Sequence, residues 1–208
     1  MSPLVPFRAF ADESSANRGE NQQEYLIGAA LIPADKCDTL RDAIRPLLLP
    51  GQIKLHWTDE SESRRRTIIA HLCELEPMNV VIAHLSARQK KTERFRRKCL
   101  GDFYSEMVEM GVNDVTLESR SPQQDKRDRA HIVGLQNSGL PKSVRITHLR
   151  GGDEPLLWIA DAVLGAINSD FLGETSHLVA LSKTFVVRRR TGESVVPEEP
   201  APGKDERP

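Results

Sequence analysis

Cysteine is scarce in this chain. Cys37, Cys73 and Cys99 are the only three; their spacing fits neither a CxxC nor a zinc pattern, and three cannot all pair, so a reduced, cytoplasmic setting is expected. Long apolar runs are missing too. The most apolar stretch, Pro155 to Ile167, is shorter than a bilayer span and is interrupted by Asp161, which excludes a membrane helix there. Met1 to Phe10 lacks a basic start followed by an apolar stretch, so no signal peptide is expected. Neither sign of charge is in excess: the formal net charge is -1, which excludes a simple polycation that coats nucleic acid. There is no internal repeat, no GxGxxG, no Walker-type loop and no Ser-His-Asp order.

What remains is a globular composition, with 38% hydrophobic and 28% charged residues. The length suits one domain over residues 1–190, large enough to bury a core without a disulfide or metal staple. From Thr191 to Pro208 the composition turns to Pro, Glu and Gly, with five acids against Lys204 and Arg207, and a disordered tail is expected there. Apolar patterning predicts a first strand at Phe7–Asp12, a polar loop at Ser14–Gln23 and a second strand at Tyr25–Ile32. An insertion over residues 34–76 follows. It has a helix from about Ala34 to Leu49, a short strand at Ile53–Trp57, and a helix from about Glu60 to Leu75 capped by Thr58 or Asp59. Further strands are expected at Asn79–Leu85, Val115–Leu117, Val144–Leu149 and Leu178–Val187. Helices are expected at Thr92–Met110, Gln123–Gln136 and from Glu154 to about Phe171. The order describes an α/β domain with a mixed sheet flanked by helices.

Three acids stand out. Asp161 is the only charge in a helix that is apolar on nearly every side (Leu156 to Ile167), and such a helix is buried all round. A buried carboxylate must be paired, protonated or bound to a metal; an ion pair with an arginine is the ordinary alternative. Asp12 closes the first strand and is followed by Glu13, and ligands gather at the carboxyl ends of strands in open α/β sheets. Its ordinary alternative is a turn or cap residue. Glu118 closes Val115–Leu117 in the same way. Two acids at strand ends and one on a later helix form a carboxylate cluster that takes Mg2+ or Mn2+, because hard cations want oxygen ligands and relieve carboxylate repulsion. Period-2 alternation puts Lys54 and His56 on one face, opposite Leu55 and Trp57. His71, His84, His131, His148 and His177 fall in no ligand spacing.

Phe10-Ala11-Asp12-Glu13-Ser14-Ser15, followed by the apolar run Tyr25–Leu31, resembles the opening motif of the DUF3800 family. Lys54-Leu55-His56-Trp57-Thr58-Asp59 looks like that family's middle Lys/His motif. Leu157 to Ala166 is similar to its C-terminal LQxADxxxGA helix, with Trp158 where Gln is usual; Ser15 stands where Gly is most frequent. The resemblance covers about residues 7–171. It implies an RNase H-like fold with the insertion between strands two and three, and a metal-dependent nuclease using Mg2+ or Mn2+. It implies Asp12, Glu118 and Asp161 as metal-binding catalytic carboxylates, the first on strand one, the second ending strand four, the third on the last helix. Glu13 joins the metal set, and Lys54 and His56 become catalytic.

The cations of residues 88–98 supply a nucleic-acid surface: Arg88, Lys90, Lys91, Arg94 and Arg97 are the expected phosphate contacts. Solvated helix faces are the ordinary reading of such runs. A non-catalytic module that binds nucleic acid or a protein partner is the rival to a phosphodiesterase.

Overall fold

The computed structural model describes residues 5–90, 93–195 and 197. Strands β1 (Phe7–Arg18) and β2 (Gln22–Pro33) form an antiparallel hairpin, paired from Phe7↔Pro33 to Arg18↔Gln22. Gly19 supplies the left-handed residue of its turn (φ 73°). The segment expected as loop, Ser14–Gln23, is therefore mostly strand, and Asp12 lies inside β1. The polar residues there sit on the long hairpin because β2 satisfies their backbone groups regardless of side-chain type.

After β2 come α1 (Cys37–Ile44), a 3-10 turn at Trp57–Asp59, α2 (Glu62–Leu75) and β3 (Met78–Ala87). Ser61, not Thr58 or Asp59, caps α2, its hydroxyl accepting from the Arg64 N–H. The strand expected at Ile53–Trp57 does not form. His56 has extended backbone (φ −136°, ψ 117°), but the segment pairs with no strand; alternation there reports burial, since Leu55 and Trp57 are buried while Lys54 and His56 are not. Then follow α3 (Glu93–Glu109), β4 (Asp114–Glu118), α4 (Pro122–Asn137), β5 (Arg145–Leu149), α5 (Leu157–Phe171), α6 (Ser176–Ala180) and β6 (Phe185–Arg190). The expected last strand begins seven residues late, because Leu178 and Leu181 enter the core from a helical segment.

The sheet runs β5-β4-β1-β2-β3-β6. β4 is parallel to β1 and β5, β6 is parallel to β3, and β2 alone is antiparallel to its neighbours. This is the expected mixed α/β architecture, a mixed sheet with helices on both faces. β2 is buried from Gln22 to Ile32 and has no charged residue from Tyr25 on, as a strand covered on both sides must be. Phe10, Leu26 and Ala30 join α2, α5 and α6 in one core. Ala9, Ala11, Ile27 and Ala29 join α3 and α4 in the other.

One expectation meets another outcome. The tail does not leave the fold at Thr191: that residue is buried, its N–H donates to the Ala83 carbonyl at 2.8 Å, and the Val195 N–H donates to Leu85 at 2.9 Å. These bonds continue the β3–β6 ladder. The remainder of the tail, residues 196 and 198–208, lies outside the described residues. The cysteines are all unpaired. No helix among the described residues is long and apolar enough to cross a membrane.

Candidate active site

The β1–β4 register places the first two acids. Ala11 pairs with Leu117, so Asp12 and Glu118 follow side by side on neighbouring parallel strands, about 4.8 Å apart in backbone. Both alternate onto the Phe10 side of the sheet, the side that α5 covers. Asp161 comes from α5, packed across that face. Asp12, Glu118 and Asp161 line one cleft of about 550 Å³ together with Lys54, His56, Arg120 and Asn168. Burial, then the charges of Glu118 and Asp161, push the Asp12 carboxyl well above its usual range, against the Glu13 N–H (2.7 Å) and the charge of Lys54. Burial also raises Asp161, opposed by the Trp57 N–H, His56 and Lys54.

A strap from Ile53 to Trp57 closes one wall. The Lys54 Nζ donates to Glu118 Oε1 at 2.5 Å. Its ammonium is raised: burial lowers it, but the hydrogen bond to Glu118 and the charges of Glu118, Asp12 and Asp161 outweigh that. His56 Nδ1 lies 3.0 Å from Asp161 Oδ1, and the Trp57 N–H donates to Asp161 Oδ2 at 2.6 Å. No arginine pairs with Asp161 among the described residues; an imidazole and a backbone amide take that place.

Glycines seat the strap. A Cβ on Gly151 would stand 2.7 Å from Lys54 Cδ and 2.8 Å from Glu118 Oε1, and one on Gly152 would stand 2.7 Å from Ile53. Trp158, at the position where the resembled motif has Gln, donates its indole N–H to the Gly151 carbonyl at 2.6 Å and holds that loop down. Gly165 is the tightest: a Cβ there would lie 2.1 Å from Trp57 Cγ. Gly165→Ala is therefore expected to push the Trp57 indole out, carrying its ring N–H off the Ser169 hydroxyl (3.2 Å), and to cost about 1–3 kcal/mol as overpacking. Denaturant melts and the near-UV tryptophan signal check this; a variant with parental stability and signal would show that the strap can sit elsewhere at no cost.

Glu13 lines the same cleft, but its carboxylate is taken up by Arg96 and Tyr25. One residue along a strand reverses the face, so its carboxylate turns toward α3 and Arg96 rather than toward Asp12, unlike the metal ligand the sequence led one to expect. There it accepts from Arg96 Nε (2.8 and 2.7 Å), from Arg96 Nη2 and from the Tyr25 hydroxyl. Arg96 also reaches Asp128, which takes His148 Nε2 at 3.1 Å and Arg120 Nη2 at 3.3 Å. His148 thus has a structural role. Among the described residues the acid–histidine groups whose ligand atoms all lie within 4.8 Å of one another are Asp125–Asp128–His148 and Glu62–Glu174–His177. The first is already neutralised by Arg96 and Arg120. The Asp12–Glu118–Asp161 trio is wider, with the Lys54 ammonium against it.

The basic residues are exposed but do not form one helix face. Arg88 and Lys90 precede α3, Arg94 and Arg97 lie on it, and Lys91 is outside the described residues. Arg96 is turned into the core, and Lys98 pairs with Glu193 at 2.5 Å. The Arg88 N–H donates to Asn21 in the hairpin turn (2.8 Å), and the turn begins six residues beyond Asp12 along β1, so Arg88 sits about 20 Å from the carboxylates.

Sequence reasoning missed Asn168, Ser169 and Arg120 in the cleft. The first two carried a signal: seven and eight residues after Asp161 on a helix, they share its face. Arg120 follows Glu118 by two on the loop beyond β4, where only the fold brings it in.

The chain matches no family model and no curated protein. Among solved structures it is similar to the RNase HII of Archaeoglobus fulgidus in its complex with PCNA, at 15% identity and TM-score 0.39, covering 83% of this chain and 76% of that one. It is also similar to Bst-RNase HIII as a point mutant (7% identity, TM-score 0.40, 86% of this chain and 55% of that one). The third is Bst-RNase HIII with Mn2+ (8%, TM-score 0.38, 84% and 55%). The chain spans about half the length of the RNase HIII chains.

Proposed function

We propose that the cleft is a metal-dependent phosphodiesterase site acting on DNA or RNA. The observation that carries this reading is Asp12: a carboxyl held above its usual range by burial and by Glu118 and Asp161 is a group that a cation would return to the charged state. The donor set is all oxygen, which suits Mg2+ or Mn2+. Asp12, Glu118 and Asp161 would hold the metal; Asp161 spends one lone pair on each oxygen in the structure and keeps the others. Bound there, the metal would supply Lewis-acid polarisation of a phosphoryl oxygen and a lowered water pKa. Lys54 and Arg120 are placed to meet phosphate oxygens, and His56, oriented by Asp161, presents its other ring nitrogen for proton transfer. The resemblance to the DUF3800 family, whose members are suspected nucleases, points the same way. Arg88, Lys90, Arg94 and Arg97 would hold flanking phosphates, with Lys91 beside them in sequence.

The test incubates purified protein with Mn2+ or Mg2+ and labelled single-stranded, duplex and branched DNA and RNA. Cleavage that stops on chelation supports the proposal. Nucleic-acid binding without cleavage of any substrate would leave a non-catalytic module instead. Replacing Arg88, Lys90, Arg94 and Arg97 with Ala is expected to flatten the slope of log affinity against log salt on duplex DNA, by up to about 0.9 for each phosphate that is no longer neutralised. A parental slope in that variant would make them a solvated surface.

A further inference from the structure

A second groove opens beside the carboxylate cleft, with a volume of about 660 Å³, lined by Arg18, Glu24, Phe171, Arg188 and Arg190 among others. One hydrogen-bonded chain joins the two. Asn168, in the wall of the cleft, donates to Ser14 Oγ at 2.9 Å and accepts from Arg18 Nη2 at 2.7 Å. Arg18 also donates to Glu24 (2.8 Å), which takes Arg190 at 3.1 Å. The guanidinium so fixed is buried, and it lies 4.5 Å from the ring centroid of Phe171. Phe171 is itself 50% exposed, and its neighbour Leu172, which reaches the carboxylate cleft, is 83% exposed. A half-exposed phenylalanine contributes little to a core. A buried arginine held by Glu24 and Asn168 against such a ring instead preorganises a flat π surface at the rim of the cleft. Phe171 lies ten residues along α5 from Asp161, about 15 Å. Of the groove's charges, Glu24 is neutralised by Arg18 and Arg190, Glu20 and Asp170 are acidic, and Arg188 has no carboxylate partner among the described residues.

We infer that Phe171, backed by Arg18, is a stacking platform for an unpaired base of the strand whose phosphate enters the carboxylate cleft, with Arg188 as a phosphate contact along the groove. This rests on the nuclease reading and names its substrate class: nucleic acid with a single-stranded segment beside the reacting phosphate. Stacking tolerates any base and needs an unstacked one, so a continuous duplex gains nothing from the platform.

The test is fluorescence anisotropy with labelled single-stranded DNA, single-stranded RNA and a blunt duplex, in chelator so that no cleavage occurs. Phe171→Ala is expected to weaken single-strand binding about tenfold and leave duplex binding unchanged, and Phe171→Trp to restore the parental value. Phe171→Leu keeps apolar bulk over Arg18 and should behave as the alanine variant; it serves if the alanine variant melts early. Arg188→Gln should lower single-strand affinity and its salt slope together. Equal losses on single strand and duplex, or no loss, would overturn the inference. So would a Phe171→Ala effect confined to self-association in light scattering, which would make this face a contact between copies. If the parent cleaves in Mn2+ while Phe171→Ala binds as the parent does, the carboxylate reading stands and the platform falls. A parent that neither binds nor cleaves removes both.

Discussion

Replacing Arg96 with methionine should destabilise the protein by about 3–5 kcal/mol, the largest effect expected of any single change here. The guanidinium is 2% exposed and lies between two carboxylates, Glu13 and Asp128, with hydrogen bonds to both oxygens of each. Methionine keeps the apolar stem and removes the charge, leaving two acids buried near one another, with Arg120 only partly able to serve both. The penalty is one of charge, so it must depend on pH. In the parent, burial raises the Asp128 pKa, but the His148 hydrogen bond and Arg96 outweigh this and hold the carboxyl below its usual value. A folded pKa below the unfolded one of about 3.9 gives stability that is present above that pH and is lost as pH falls through the folded value. The variant lacks much of this contribution. The gap between parent and variant should therefore be widest near neutrality and narrow below about pH 4, where Asp128 takes up its proton first in the unfolded chain and then in the fold. Denaturant titrations at several pH values measure it. Adding Glu13→Gln and Asp128→Asn to the variant should recover most of the stability. A gap that is constant with pH and unrelieved by the amides would mean that Arg96 acts through packing alone.

Asp12→Asn should abolish metal-dependent cleavage, by at least about a hundredfold, and at the same time make the metal-free protein more stable, on the order of 1 kcal/mol. The two effects share a cause. Burial, Glu118 and Asp161 raise the Asp12 pKa, so the folded state binds a proton there that the unfolded state has already released. Stability then falls as pH rises from the unfolded pKa, about 3.9, through the folded one. The amide carries no charge and escapes that decline, so its advantage should be absent at lower pH and grow across that window. Mn2+ should stabilise the parent and not the variant, and melting curves with and without the ion at acid and neutral pH read both arms. A variant that is less stable than the parent at neutral pH would show that Asp12 holds the fold together through contacts of its own.

How much of this is legible in the residues depends on how local each cause is. Asp161 can be singled out because one charge in an apolar helix is anomalous wherever the helix sits, and the sheet with its crossover helices follows from apolar runs of the right length. Asp12 and Glu118 can be named, but their adjacency is a matter of register: Ala11 opposite Leu117 is a pairing between strands a hundred residues apart, and no local pattern encodes it. The same holds where sequence and structure part. Glu13 groups with Asp12 because they are neighbours in sequence, yet a strand sends neighbours to opposite faces. Arg96 reads as one of a run of surface cations, because burial of an arginine is decided by acids on β1 and α4 that only packing brings together. Ser14 to Arg18 reads as loop because polar composition hides a strand whose partner supplies its hydrogen bonds. The residue types and the spacing within elements determined by themselves most of the elements, the apolar faces and the three acids worth following. The tertiary structure alone decided which charges meet. Lys54 meets Glu118, His56 meets Asp161 and Arg96 meets Glu13, because electrostatic partnership depends on distance in space, and each of these pairs is separated by 64 residues or more along the chain.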